Sequence, residues 1–337
     1  MMLLASCFGL QEELLILFPI FLSFSKAMGW SNKMAACLVL ITTGVGFTTA
    51  TFNPFTVGIA SELAGVTVMD GLWYRSVIFC SLYVLTSLYL VFMAKQDEKQ
   101  NTPEPLQDEF IGLPEAERKI YGKKASMVFS LFAAVLLVIV LASAIPFIAE
   151  LGLGMVFMSL TFVVGAFIIG KGSLGSLRSA GKSFLQGAKD LSPSIIIILL
   201  AFSVKYIAEN GNILHTLFYY CHNYISQQSP YVAVVMLYVL ILMFEFFIPG
   251  AAAKALLLIP MLTLAPLPGI SVNIIILAFL FGDGYTNVLY PTCATLVVGL
   301  GLAEVSYVDW LKKTGWFHAV LFLLSAGFLL LAVHIGL

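Results

Sequence analysis

Residues 277–292 read LAFLFGDGYTNVLYPT. An apolar run suited to a membrane span is interrupted here by Asp283 between two glycines, then by Thr286, Asn287, Pro291 and Thr292. In hydrocarbon an unpaired backbone group costs several kcal/mol, so a helix broken this way persists only where protein or a water-filled cavity satisfies the freed groups. Such breaks mark substrate sites in secondary transporters. Asp283 strengthens the reading, because an intramembrane carboxylate is expensive to bury and functional by default; the alternative is a structural pair, for example with a helix N-terminus. Gly282 and Gly284 permit close backbone approach.

Upstream, residues 42–66 read TTGVGFTTATFNPFTVGIASELAGV. Pro54 removes a backbone donor and breaks the helix, and Thr49, Thr51, Asn53 and Thr56 surround it. These side chains either coordinate a substrate or ion or, in the plainer alternative, satisfy carbonyls freed by the proline. The Asn and Pro recur in both halves, which favours binding. Flanking spacings also match. Glu13 precedes Pro19 by six residues and Lys254 precedes Pro260 by six, Gly29 and Gly269 follow, and Trp73 and Trp310 each lie nineteen residues after Pro54 and Pro291. The match is imperfect, since 24 positions separate Gly29 from Asn53 and 18 separate Gly269 from Asn287. The spacing predicts an internal repeat.

The 337 residues are 60% hydrophobic and 10% charged, which excludes a water-soluble fold. A net charge of −1 excludes a nucleic-acid partner. Cys7, Cys37, Cys80, Cys221 and Cys293 form no metal-ligand or redox spacing and read as buried thiols, with no metal expected. A bilayer core about 30 Å thick needs about 20 apolar residues per helix, and full candidates stand at 72–94, 125–145, 151–170, 193–209 and 316–336. Interrupted candidates stand at 12–28, 33–66, 230–266 and 272–305. Residues 95–124, charged and with three prolines, form a solvated linker. The domain reading is therefore an incomplete first repeat over 1–94, the linker, and a second, inverted repeat over 125–337. Inverting the second half places all of the seventeen Lys and Arg except Arg75, Lys205 and Lys254 on one side, which the positive-inside rule makes cytoplasmic.

The strings NPFTVGIA (53–60) and FGDGYTNVLYPT (281–292), with FGLQEELLILFP (8–19), resemble the C4-dicarboxylate anaerobic carrier family, and within it the branch called basic amino-acid antiporters. The resemblance runs in register over most of the chain. It implies an all-α polytopic secondary transporter of the bacterial inner membrane, with re-entrant hairpins, broken helices, a small-molecule substrate, coupling to H+ or Na+, no other cofactor, and a homodimer. Two departures stand out. Family members carry further spans and an outer hairpin arm ahead of the Glu12-Glu13 motif, so this chain reads as truncated or split. At the second hairpin tip, where the family pattern is similar to Ser-Gly-Ser-Gly-Gln-Ala, residues 250–255 are GAAAKA, replacing hydroxyls and an amide with methyls and an ammonium.

Glu12, Glu13 and Lys254 occupy the expected hairpin tips, and a Glu13–Lys254 ion pair would spare either charge from being buried alone. Glu245, in FEFFIPG, reads equally as interfacial or coupling. His215 and His222 share a helical face without a third metal ligand, and an interfacial helix is expected there. Residues 172–191 read as a cytoplasmic connector without a phosphate loop. An intramembrane aspartyl protease would need a second carboxylate at Asp283 in a Gly-x-Gly-Asp context, and Leu280 stands at the first Gly position, so an enzyme is not expected. A channel would need a continuous polar pore. The function expected is amino-acid antiport, with dicarboxylate exchange as the runner-up and a non-transporting fragment or partner-requiring subunit as the alternative of another class.

Overall fold

A computed structural model describes residues 1–99, 163–168, 176–190, 210–248, 250–264 and 267–337, with isolated positions between them. The chain divides into two compact units, Met1–Leu106 with Ser194–Leu337, and Gln107–Pro193. In the smaller unit, Leu177–Asp190 forms an amphipathic helix, α6, whose Phe184 ring lies 5.5 Å from that of Phe167. The spans expected at 125–145, 151–170 and 193–209 fall largely outside the described residues, as do the side chains of His215 and His222.

Helix α1, Met2–Phe8, ends on Gly9 at φ 71°, a left-handed cap suited to glycine. A tight turn at Glu13–Leu17 leads into α2, Phe18–Ala27. Gly29, at φ 72°, reverses the chain, and Ser31 caps α3, Asn32–Thr48, by accepting from the Met34 N–H. A π turn at Cys37–Ile41 lies within α3. After the break at 49–53 the chain resumes through a π turn, Pro54–Gly58, and α4, Ile59–Ala64. The first part ends in α5, Leu72–Glu98.

The later part presents similar pieces in the same order. It comprises α7, Ile213–Ile225, then α8, Pro230–Phe247, α9, Ala251–Leu264, α10, Val272–Thr286, α11, Ala294–Ala303, and α12, Tyr307–Ile335. Gly269 at φ 73° precedes Ser271, which caps α10 through the Ile274 N–H as Ser31 caps α3. The tryptophans of the matched spacing differ in environment: Trp73 is exposed, whereas Trp310 is buried and donates to the Val288 carbonyl at 2.9 Å. Trp73 is the second residue of α5 and Trp310 the fourth of α12, so equal spacing from the proline places them on different faces.

Among the described residues there is no strand, and α5, α8 and α12 are long and apolar enough to cross a membrane. The first arm of the interrupted 230–266 segment thus suffices alone: eighteen residues rise about 27 Å. Val77, Val84, Leu88 and Phe92 on α5 and Val308, Leu323 and Leu331 on α12 are exposed, as lipid-facing side chains must be. Cys80 is exposed as well, so not every cysteine is a buried thiol.

Helix α10 is the centre of the larger unit. It packs against α3, α8, α9 and α12, and every residue from Ile274 to Thr286 is buried. A Cβ on Gly284 would strike the Thr48 backbone and one on Gly44 would strike Val288, so α3 and α10 pass each other antiparallel with their backbones in contact. The final helices are antiparallel too: Tyr74 donates to the Phe328 carbonyl and Tyr89 to that of Lys313. At the end of α5, Asp97 accepts from Ser31 N and Oγ at 3.0 and 2.6 Å and from Lys313 Nζ at 3.1 Å, tying α3, α5 and α12 together. These bonds carry α5 through Glu98, four residues into the stretch expected as linker.

Candidate functional site

Three helices bring together the ionisable side chains of the second broken region. Glu245 sits near the end of α8, and Gly250, at φ 100°, precedes α9, in whose first turn Lys254 faces Glu245. Asp283, in the last turn of α10, completes the group. Gly282 allows the approach, because a Cβ there would run into Ile241, with Glu245 Cγ next to it. Lys254 Nζ pairs with Glu245 Oε2 and lies 2.5 Å from Asp283 Oδ1. The three residues are 3%, 1% and 0% exposed in chain order. Two carboxylates therefore share one ammonium away from water. Removing the ammonium from such a buried group costs about 3–5 kcal/mol, because the carboxylates are left uncompensated. Glu245 Oε1 and Asp283 Oδ2 have no hydrogen-bond partner among the described residues. Tyr238 and Tyr285 join hydroxyls 3.0 Å apart beside the group.

The Glu13–Lys254 pair is not formed. Lys254 is taken by Glu245 and Asp283, while Glu13 accepts from the Gln11 N–H at 3.2 Å within its own turn, half-buried, and Glu12 is exposed.

The first break is wired to α1. The Ser6 carbonyl accepts from the N–H groups of Thr51, Phe52 and Asn53, and Ser6 Oγ donates to the Thr49 carbonyl at 2.7 Å. Arg75, buried at the start of α5, donates to the Thr51 carbonyl and holds the carbonyls of Val68 and Asp70. Asn53 is fully buried; its Oδ1 accepts from the Phe55 N–H at 2.9 Å, and its Nδ2 has no partner among the described residues. Thr56 Oγ1 is likewise buried without a partner there. Thr51 Oγ1 lies 3.1 Å from Ser6 Oγ, whereas Thr49 Oγ1 donates back to the Val45 carbonyl at 3.0 Å.

At the second break, Asn287 Nδ2 donates to Gln11 Oε1 at 3.1 Å and Cys293 Sγ lies 3.5 Å from Asn287 Oδ1. Gln11, buried in the loop after α1, thus links the later part to the earlier one. Thr286 Oγ1 donates to the Gly282 carbonyl, its own helix, and Thr292 is half-buried. Among the described residues no side-chain oxygen caps α11, so its first turn brings the partial positive charge of a helix N-terminus to the break. Two carboxylates, an ammonium and an amide thus stand in and beside the second break. Among the described residues no group of three metal-ligating side chains occurs.

The family model described as DcuC, C4-dicarboxylate anaerobic carrier, matches residues 1–334. The chain belongs to this family. The chain is 26% identical over 335 residues to the Escherichia coli K12 protein named "Putative basic amino acid antiporter YfcC", covering 95% of this chain and 65% of that protein. It is 24% identical over 338 residues to an uncharacterized Haemophilus influenzae protein, covering 98% of this chain and 65% of the relative. The chain thus spans about two thirds of the length of the curated relatives it matches. No solved structure matches it.

The sequence places Asp283, Asn53 and Asn287 at the breaks but does not single out three residues around them. Glu245 was left undecided, although the rule that intramembrane charges pair would have found it from Lys254 and Asp283. Ser6, Gln11 and Arg75 carry no such signal, since nothing local to them marks the break they serve. His318, on α12, is a further buried group: its ring lies 6.1 Å from that of Tyr285, and neither nitrogen has a hydrogen-bond partner among the described residues.

Proposed function

We propose that this carrier is an amino-acid antiporter of the bacterial inner membrane, built as two inverted repeats with re-entrant hairpins, and that it binds its substrate at the two broken helices. The antiparallel crossing of α3 with α10, and of α5 with α12, supports the inverted reading. One observation carries the substrate class: Glu245 and Asp283 offer two buried carboxylates against one ammonium. A site with acid in excess suits a cationic group, here the amino or guanidinium group of a basic amino acid. About one helical turn along from Asp283 stand Asn287 and the uncapped start of α11, which suit the substrate carboxylate. Thr49, Thr51, Asn53 and Thr56 line the opposite break as hydrogen-bonding groups. A homodimer is the assembly proposed.

The test is counterflow in proteoliposomes, with labelled arginine outside and unlabelled arginine or ornithine inside, beside a set loaded with succinate and given labelled succinate. Arginine exchange is the expected result. Exchange of succinate alone would move the substrate to C4-dicarboxylates, the reading favoured by the family's description. Silence in both sets would mean that these 337 residues do not transport on their own, and would favour a fragment or a subunit that needs a partner chain.

A further inference from the structure

We propose that the Lys254 ammonium is a built-in counter-cation, occupying the position between Glu245 and Asp283 that an alkali cation would otherwise fill. The inference concerns the proposed transport site but does not rest on which substrate is carried there.

The geometry supports it in three ways. Lys254 Nζ sits between carboxylates from two different helices, in contact with Glu245 Oε2 and 2.5 Å from Asp283 Oδ1. Both acids keep a second oxygen, Glu245 Oε1 and Asp283 Oδ2, without a hydrogen-bond partner among the described residues, so the oxygens around the ammonium amount to an unfinished coordination shell. Hard monovalent and divalent cations take such oxygen sets. The ammonium is also tethered at a defined place: Lys254 lies four residues after Gly250, whose carbonyl accepts the Lys254 N–H, in the first turn of α9. Of the ionisable groups around it, Tyr238, Tyr285, Tyr290, Cys293 and His318 contribute no fixed positive charge of the kind a lysine supplies, and Lys313 of α12 is paired with Asp97. Without Lys254, two carboxylates would face each other out of water, so that either one of them takes up a proton or another cation joins them.

The consequence is a site whose neutrality needs no dissolved sodium ion. Thermal stability of the purified protein, read by differential scanning fluorimetry in sodium chloride and in choline chloride of equal ionic strength, tests it without any transport assay. The wild-type protein is expected to melt at the same temperature in both salts. K254M is expected to melt several degrees lower in choline than in sodium, and E245Q/K254M/D283N, with no carboxylate left, to lose that difference again. If K254M is not recovered in either salt, E245Q/K254M, which leaves Asp283 alone, must show the sodium shift. A sodium-specific stabilisation of the wild type, or a K254M or E245Q/K254M protein indifferent to the cation, would overturn the proposal.

Discussion

Gly284→Val is expected to abolish recovery of monodisperse protein from detergent extracts. A Cβ at Gly284 meets the backbone of Thr48 rather than the far end of a flexible side chain. The neighbours cannot rotate away, and α10 is held on its other sides by α8, α9 and α12. Overpacking a core ordinarily costs about 1–3 kcal/mol; a clash between two backbones at the centre of the unit has no rotamer to relieve it and exceeds that range. Glycines with open space around them give the control, because a Cβ on Gly315 or Gly327 of α12 meets nothing within 4 Å. G315A and G327A are expected to be recovered like wild type. Size-exclusion traces of fluorescent fusions distinguish the outcomes, and a wild-type trace for G284V would show that α3 and α10 do not touch.

The second large effect is functional. Asp283→Asn keeps the shape of the side chain and leaves Lys254 with Glu245 as a one-to-one pair, so the protein is expected to fold. Arginine counterflow is expected to fall by about 100-fold or more, because truncating one partner of a buried charge interaction costs about 2–5 kcal/mol. The comparison is between D283N and wild type at matched protein density in the vesicles. Undiminished exchange by folded D283N would remove Asp283 from the site.

Much of this architecture is legible in the sequence because membranes make polarity conspicuous. Pro54, Asn53, Asp283 and Asn287 each stand in an apolar run, and the structure places all four where the helices stop or start. Pairing was harder to read. The matched spacing equates Glu13 with Lys254, but equal spacing from two prolines does not bring two residues into contact. The partners of Lys254 come from α8 and α10, which the bare backbone of Gly282 lets approach. Threonines showed a further limit: Thr49 and Thr286 turn their hydroxyls back onto their own helices, as hydroxyls near a helix end commonly do, while Thr56 does not. The role of Ser6 depends on a contact between segments 43 residues apart, which local pattern does not encode.

Site-resolved thiol labelling would locate the substrate. Cys293 is half-buried at the second break, 3.5 Å from Asn287 Oδ1, whereas Cys80 is exposed on α5 away from it. The protein is treated with N-ethylmaleimide with and without arginine, and each cysteine is followed by mass spectrometry. Arginine bound between Asp283 and the start of α11 should slow modification of Cys293 several-fold and leave Cys80 unchanged. A Cys293 rate indifferent to arginine, in vesicles that exchange arginine, would contradict a substrate site at the broken helices.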